Sequence, residues 1–77
     1  MIKILYFAGM RDLTGKAEEN IERMEWSVRE LLQWAEETYP NFNRHSVLVA
    51  INEEYVTEDE EINDGDVVVF IPPVSGG

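Results

Sequence analysis

The chain has no cysteine, one histidine and six basic residues among its 77. Without cysteine there is no disulfide, no thiolate nucleophile and no cysteine metal site, a usage that suits a cytoplasmic protein. A histidine-based triad or metal pair lacks its partners, so His45, beside Arg44 in a polar connector, reads as structural or exposed. The six bases face sixteen acids, for a net charge of -10. That balance opposes binding to nucleic acid or an anionic membrane and favours partners with positive surfaces. No apolar run approaches the ~18 residues needed to span a bilayer. No basic segment leads into an apolar one at the start, as a signal peptide requires. Gly15-Lys16 lacks the upstream glycine of a phosphate loop. Glu58-Asp59-Glu60-Glu61 with Asp64 and Asp66 lacks calcium-loop spacing and reads as a solvated acidic face. No metal site and no cofactor bound by this chain are expected.

What is present is enough apolar residue, 44%, for one small domain. Ile2-Lys3-Ile4-Leu5-Tyr6-Phe7 reads as a first strand, with Ile2, Ile4 and Tyr6 on one face and Leu5 and Phe7 on the other. Ala8 to Lys16 reads as a loop holding one helical turn at Met10–Leu13, and Ala17 to Met24 as a weak, acidic edge strand. Ser27-Val28-Arg29-Glu30 fits a capping box, and Trp26 before the cap can staple to Leu31. Val28, Leu31, Leu32, Ala35 and Tyr39 form the apolar stripe of a helix that Pro40 stops. Trp26 and Trp34 read as packing residues. Val47 to Ile51 is a third strand, Asn52-Glu53-Glu54 a turn and Tyr55-Val56 a short fourth strand. Thr57 to Asn63 reads as irregular with Ile62 as its anchor, and Asp64-Gly65-Asp66 as a turn. Val67-Val68-Val69-Phe70-Ile71 is the last strand, apolar enough to be central and covered on both faces. The first and last strands are the most apolar and are expected to be central neighbours. One helix then covers one face of a small mixed sheet, an α+β architecture.

The final eleven residues carry no charged side chain, and the chain closes on Pro72-Pro73-Val74-Ser75-Gly76-Gly77. Two terminal glycines can enter a channel too narrow for any Cβ, leaving the Gly77 carboxyl free to be activated. The prolines stiffen the exit from the last strand. Six residues at ~3.3–3.6 Å each reach about 20 Å, enough to enter a partner's active site. The expected organisation is a globular domain over 1–71 and a flexible tail over 72–77. Phe7, Met10 and Phe70 are the exposed apolar candidates for a docking face, with Arg11 and Pro72 beside them.

The opening Ile2-Lys3-Ile4-Leu5-Tyr6-Phe7-Ala8, Arg11-Asp12-Leu13, Gly15, the helix after Ser27, Ala50-Ile51-Asn52, Asp64-Gly65-Asp66 and the Pro-Pro-Val-Ser-Gly-Gly end together resemble a known family. It is that of the small subunits of molybdopterin synthase, which are ubiquitin-like sulfur carriers. The resemblance spans the whole chain. It implies a β-grasp fold of four to five strands with one main helix on one face. It further implies that an adenylating enzyme of the ubiquitin-activating kind converts Gly77, with ATP, to an acyl-adenylate and that a thiocarboxylate follows. The tail (Pro73, Val74, Ser75, Gly76) would insert into the large synthase subunit, in a heterotetramer, and Gly77 would deliver sulfur to the pterin precursor. Catalytic side chains would lie on the large subunit, so the chain is not an enzyme by itself. Two other readings share the tail chemistry: a sulfur carrier for thiamin or tRNA thiolation, and a ubiquitin-like protein modifier.

Overall fold

The computed structural model describes residues 1–71. Seven strands and two α-helices follow in the order β1 (Ile2–Tyr6), α1 (Gly9–Thr14), β2 (Glu18–Ile21), β3 (Glu25–Ser27), α2 (Val28–Thr38), β4 (Leu48–Ile51), β5 (Glu54–Val56), β6 (Glu61–Asn63) and β7 (Val67–Ile71). A 3-10 turn at Arg44–Ser46 precedes β4. Five strands form one mixed sheet in the order β2-β1-β7-β4-β5. β1 and β7 run parallel at its centre, with Leu5 opposite Val69 and Tyr6 opposite Phe70. The expected neighbourhood of first and last strands is present, and so is the single main helix.

Helix α2 starts where its local chemistry directs. The Ser27 hydroxyl accepts the Glu30 amide at 3.0 Å, and the Glu30 carboxylate accepts the Ser27 amide at 3.1 Å. This closes the capping box and satisfies two amides that have no intrahelical partner. Val28, Leu31, Leu32 and Ala35 are buried against the sheet. The β4–β5 hairpin turns through Asn52 and Glu53 at φ 50 and 73°, the left-handed pair that matches the twist of flanking strands. Gly65, at φ 91°, turns the chain into β7.

Three expectations change. Ala17 to Met24 is not one strand: Glu18–Ile21 pairs with β1, and the chain then enters a separate two-stranded sheet. That second sheet pairs Trp26 with Ile62 and converts part of the supposed irregular segment into β6. Both apolar residues at this pair are buried, so a three-residue ladder is enough to plug the core at the start of α2. Finally, β7 is covered on one face only. Val68 and Phe70 are buried, whereas Val67, Val69 and Ile71 are half-buried on the other side.

Candidate docking face

The period of two along a strand sorts β1 and β7 into two sets of side chains. Ile2, Ile4, Tyr6, Val68 and Phe70 point under α2 and are buried. Lys3, Leu5, Val67, Val69 and Ile71 stand on the opposite face. The pairings of β7 with β4 and of β4 with β5 extend that face through Ala50, Leu48 and Tyr55. No helix among the described elements covers it. Phe7, Leu48 and Tyr55 are 46%, 45% and 69% exposed, large values for side chains of this size and polarity. Between β1, β7 and the β4–β5 turn lies a shallow open groove of about 470 Å³, lined by Leu5, Phe7, Asn52, Glu53, Val67 and Val69.

The expected docking residues divide on this geometry. Phe7 is exposed and lines the groove. Arg11 is exposed on α1, and its Nε donates to the Tyr6 carbonyl at 3.1 Å, which fixes it at the end of β1. Met10 and Phe70 are not exposed. Met10 is a buried residue of α1, and Phe70 is wholly buried, stacked on Tyr6 at 6.1 Å and edge-on to Phe42 at 5.1 Å. The cause is register: opposite Tyr6, Phe70 takes the helix-covered face, and its neighbours Val69 and Ile71 take the open one. The face also holds Tyr55, Leu48, Val67, Val69 and Ile71, none of which the sequence singled out. The alternation of β7 against Leu5 was the available signal. Pro72, Pro73, Val74, Ser75, Gly76 and Gly77 lie outside the described residues, as does the division between domain and tail. β7, from which they follow, is hydrogen-bonded on both sides.

Opposite the open face, a polar knot ties the edge of the sheet to α2. Glu19 of β2 accepts from the Tyr6 hydroxyl at 2.9 Å, the Tyr39 hydroxyl at 2.7 Å and the Lys16 ammonium at 3.2 Å. Burial pushes the Glu19 carboxyl up, but these three donors outweigh it and hold it below its ordinary value. Burial and the Glu19 carboxylate together push the Tyr6 hydroxyl well above the usual tyrosine range. Each group in the knot is satisfied by another, and together they tie β2 to the end of α2. Among the described residues no group of three or more metal-ligating side chains could hold an ion, and His45 is exposed on the 3-10 turn. No helix of the described residues is long and apolar enough to cross a membrane.

A five-stranded mixed sheet with one main helix across one face, and a first strand parallel to the last, is the ubiquitin-like β-grasp architecture. The ThiS family model matches residues 4–77, and the chain belongs to that family. It is 36% identical to the molybdopterin synthase sulfur carrier subunit of Chlamydomonas reinhardtii, over 99% of this chain and 98% of that one. It is 34% identical to the molybdopterin synthase sulfur carrier subunit of Escherichia coli, over the full length of both. Among solved structures it matches a Pyrococcus furiosus protein described as a candidate molybdopterin converting factor, subunit 1. That match has a TM-score of 0.83 and 38% identity over 95% of this chain and 97% of that one.

Proposed function

We propose that the chain is the sulfur-carrier small subunit of a molybdopterin synthase, with Gly77 as its reactive group. The observation that carries this reading is full-length similarity, at 34–36% identity, to sulfur carrier subunits of that synthase. The molecule's own chemistry supports it. Among the described residues no group of three or more side chains could hold a metal ion, and the reading places the reactive group at Gly77. The strand leading to the tail is anchored at the centre of the sheet, and an apolar face lies open beside it.

In the proposed cycle the Gly77 carboxylate attacks the α-phosphorus of ATP on an adenylating enzyme, expelling pyrophosphate. A donor of sulfide-level sulfur then attacks the acyl carbon and displaces AMP, which leaves a thiocarboxylate. The tail, Pro73 to Gly77, enters the large synthase subunit, where the thiocarboxylate sulfur bonds to the pterin precursor and water replaces it on the acyl carbon, regenerating the Gly77 carboxylate; two deliveries build the dithiolene. Phe7, Arg11 and the open sheet face dock against the large subunit, within a heterotetramer. Pro72 belongs to the same proposed contact. No cofactor is held by this chain, the catalytic side chains belong to the large subunit, and the cycle runs in the cytoplasm.

Mass spectrometry of the C-terminal peptide from cells tests the chemistry. A gain of about sixteen daltons, sulfur for oxygen, is expected on Gly77. Isopeptide conjugates to lysines would instead mark a protein modifier. Co-purification with a thiazole synthase, in place of a large synthase subunit, would mark the thiamin branch. Adding one residue after Gly77 is expected to abolish activation in a reconstituted assay. Full sulfur transfer by that variant would overturn the reading.

A further inference from the structure

The groove on the open face is not uniform. Its floor is Leu5, Val67 and Val69, while one end is closed by the β4–β5 turn, which brings Asn52 and Glu53 to the rim. That turn is pinned. The Asn52 amide donates to the Val67 carbonyl at 2.8 Å, and the Val67 amide donates to the Asn52 side-chain oxygen at 3.0 Å. The Asn52 side-chain amide also donates to Asp66 at 3.0 Å, and Asp66 in turn accepts the Asn63 amide at 2.8 Å. Glu53 follows directly, held at φ 73° where a glycine or asparagine is the easier residue. Its carboxylate, like those of Glu54 and Glu60, forms no ion pair among the described residues, but of these three only Glu53 lines the groove. A negative charge is therefore carried on a fixed turn at the end of an apolar trough.

Resting on the docking role proposed above, we infer that Glu53 is a specificity-determining contact of this face. It takes a lysine or arginine of the partner, while an adjacent apolar side chain of that partner fills the groove over Leu5, Val67 and Val69. Charge complementarity selects this occupant. A second copy of the chain would bring a second Glu53 to the same face and a further net charge of -10 to the assembly. A basic partner instead gains from the whole field of the molecule during approach and from Glu53 locally on contact. The apolar floor supplies contact area, and the charge fixes which end of the groove the partner's cation occupies.

The test uses the full chain and the cognate large subunit of molybdopterin synthase. Binding kinetics are measured at low and high salt for wild type, Glu53→Lys, Glu53→Gln and Glu60→Lys. Glu60 is exposed in the loop before β6 and does not line the groove, so its reversal makes the same net-charge change at a remote site. Lysine and glutamine place the same demand on the left-handed backbone as glutamate, and melting curves confirm that the variants stay folded. Glu53→Lys is expected to slow association about tenfold at low salt and to flatten its salt dependence, with Glu53→Gln intermediate and Glu60→Lys within about twofold of wild type. Equal slowing by Glu53→Lys and Glu60→Lys would mean that only net charge matters and would overturn the inference. So would a wild-type chain that sediments as a dimer through this face. If wild type itself does not bind the large subunit, the functional reading fails and takes the inference with it.

Discussion

The two faces of the central sheet are built from the same two strands and differ in what covers them. Under α2, the side chains of β1 and β7 are Ile2, Ile4, Tyr6, Val68 and Phe70, each at most 1% exposed. On the other side the alternate residues Leu5, Val67, Val69 and Ile71 are half-buried at best, with Phe7, Leu48 and Tyr55 well exposed. Both faces are rich in apolar side chains, so hydrophobicity does not distinguish the core from the proposed docking surface. Coverage does: a single helix has area for one face only. In a chain of this length the buried face must supply most of the stability, which leaves the other free for the contact proposed above. The open face can then be changed at little structural expense, and the covered face cannot.

Phe70→Ala should draw that contrast most sharply. It empties a fully buried site between Tyr6 and Phe42, and a loss of about 3–5 kcal/mol is expected in chemical denaturation. A value below about 1 kcal/mol would mean that Phe70 belongs to the docking face after all. Glu19→Ala comes next. It leaves the buried Tyr6 hydroxyl and the Tyr39 hydroxyl without their acceptor, at about 1.5–3 kcal/mol for bonds to a charged group.

The same knot makes stability depend on pH in two windows. The Glu19 carboxyl is lowered in the fold, so its contribution is present above the unfolded value near ~4.3 and is lost as pH falls through the folded value. The Tyr6 hydroxyl is raised, so its contribution is present below the unfolded value near ~10 and is lost as pH rises beyond it. Glu19→Ala should flatten the acid limb measured by urea midpoints, and Tyr6→Phe the alkaline one. A Tyr6→Phe variant with an unchanged alkaline limb would locate that titration elsewhere, Tyr39 being the next candidate.

A smaller effect is expected at Ala8. The turn leaving β1 has Ala8 at φ 49°, ψ -125°, and the Met10 amide donates to the Phe7 carbonyl across it at 2.9 Å. This is a conformation that suits glycine, and strain of this kind costs of order 1–3 kcal/mol. Ala8→Gly should relieve it against a loss of roughly 0.5–1 kcal/mol to the freer unfolded chain. A rise in stability of up to about 1 kcal/mol is expected in thermal melts. A fall would show that the turn is not strained.

What could be read from the sequence was what depends on neighbours along the chain. The capping box at Ser27 and Glu30, the stop at Pro40 and the turn at Asp64-Gly65-Asp66 are each decided within a few residues. The central position of the first and last strands followed from their apolar content. What could not be read was the phase of β7. All five of its residues are apolar, so only pairing with β1 decides that Phe70 faces inward and Val69 outward. Met10 fell to the same difficulty, since a single turn of helix has no periodicity that names its buried side. The β3–β6 ladder was hidden because Trp26 and Ile62 are lone apolar residues among acids, too short a pattern to register as strand. Phe42 went unremarked in a polar connector, yet it closes the core against Phe70.

The smallest effect on stability is expected where the effect on binding is largest. Phe7→Ser and Tyr55→Ser remove exposed apolar surface that makes no part of the core. Surface changes of this kind usually fall within about 0.5 kcal/mol of wild type, so melting curves should nearly superimpose. If the proposed docking role holds, affinity for the large synthase subunit should nonetheless fall at least tenfold for either, as expected when an aromatic anchor is removed from an interface. The double variant is the more telling measurement. Phe7 lies beside the end of β1 and Tyr55 on the edge strand β5, on opposite sides of β7. If one partner surface covers the whole open face, both losses appear together in one dissociation constant. If only Phe7→Ser weakens binding, the interface is confined to the β1 side and the tail exit. The exposed aromatic ring on β5 would then serve some other contact.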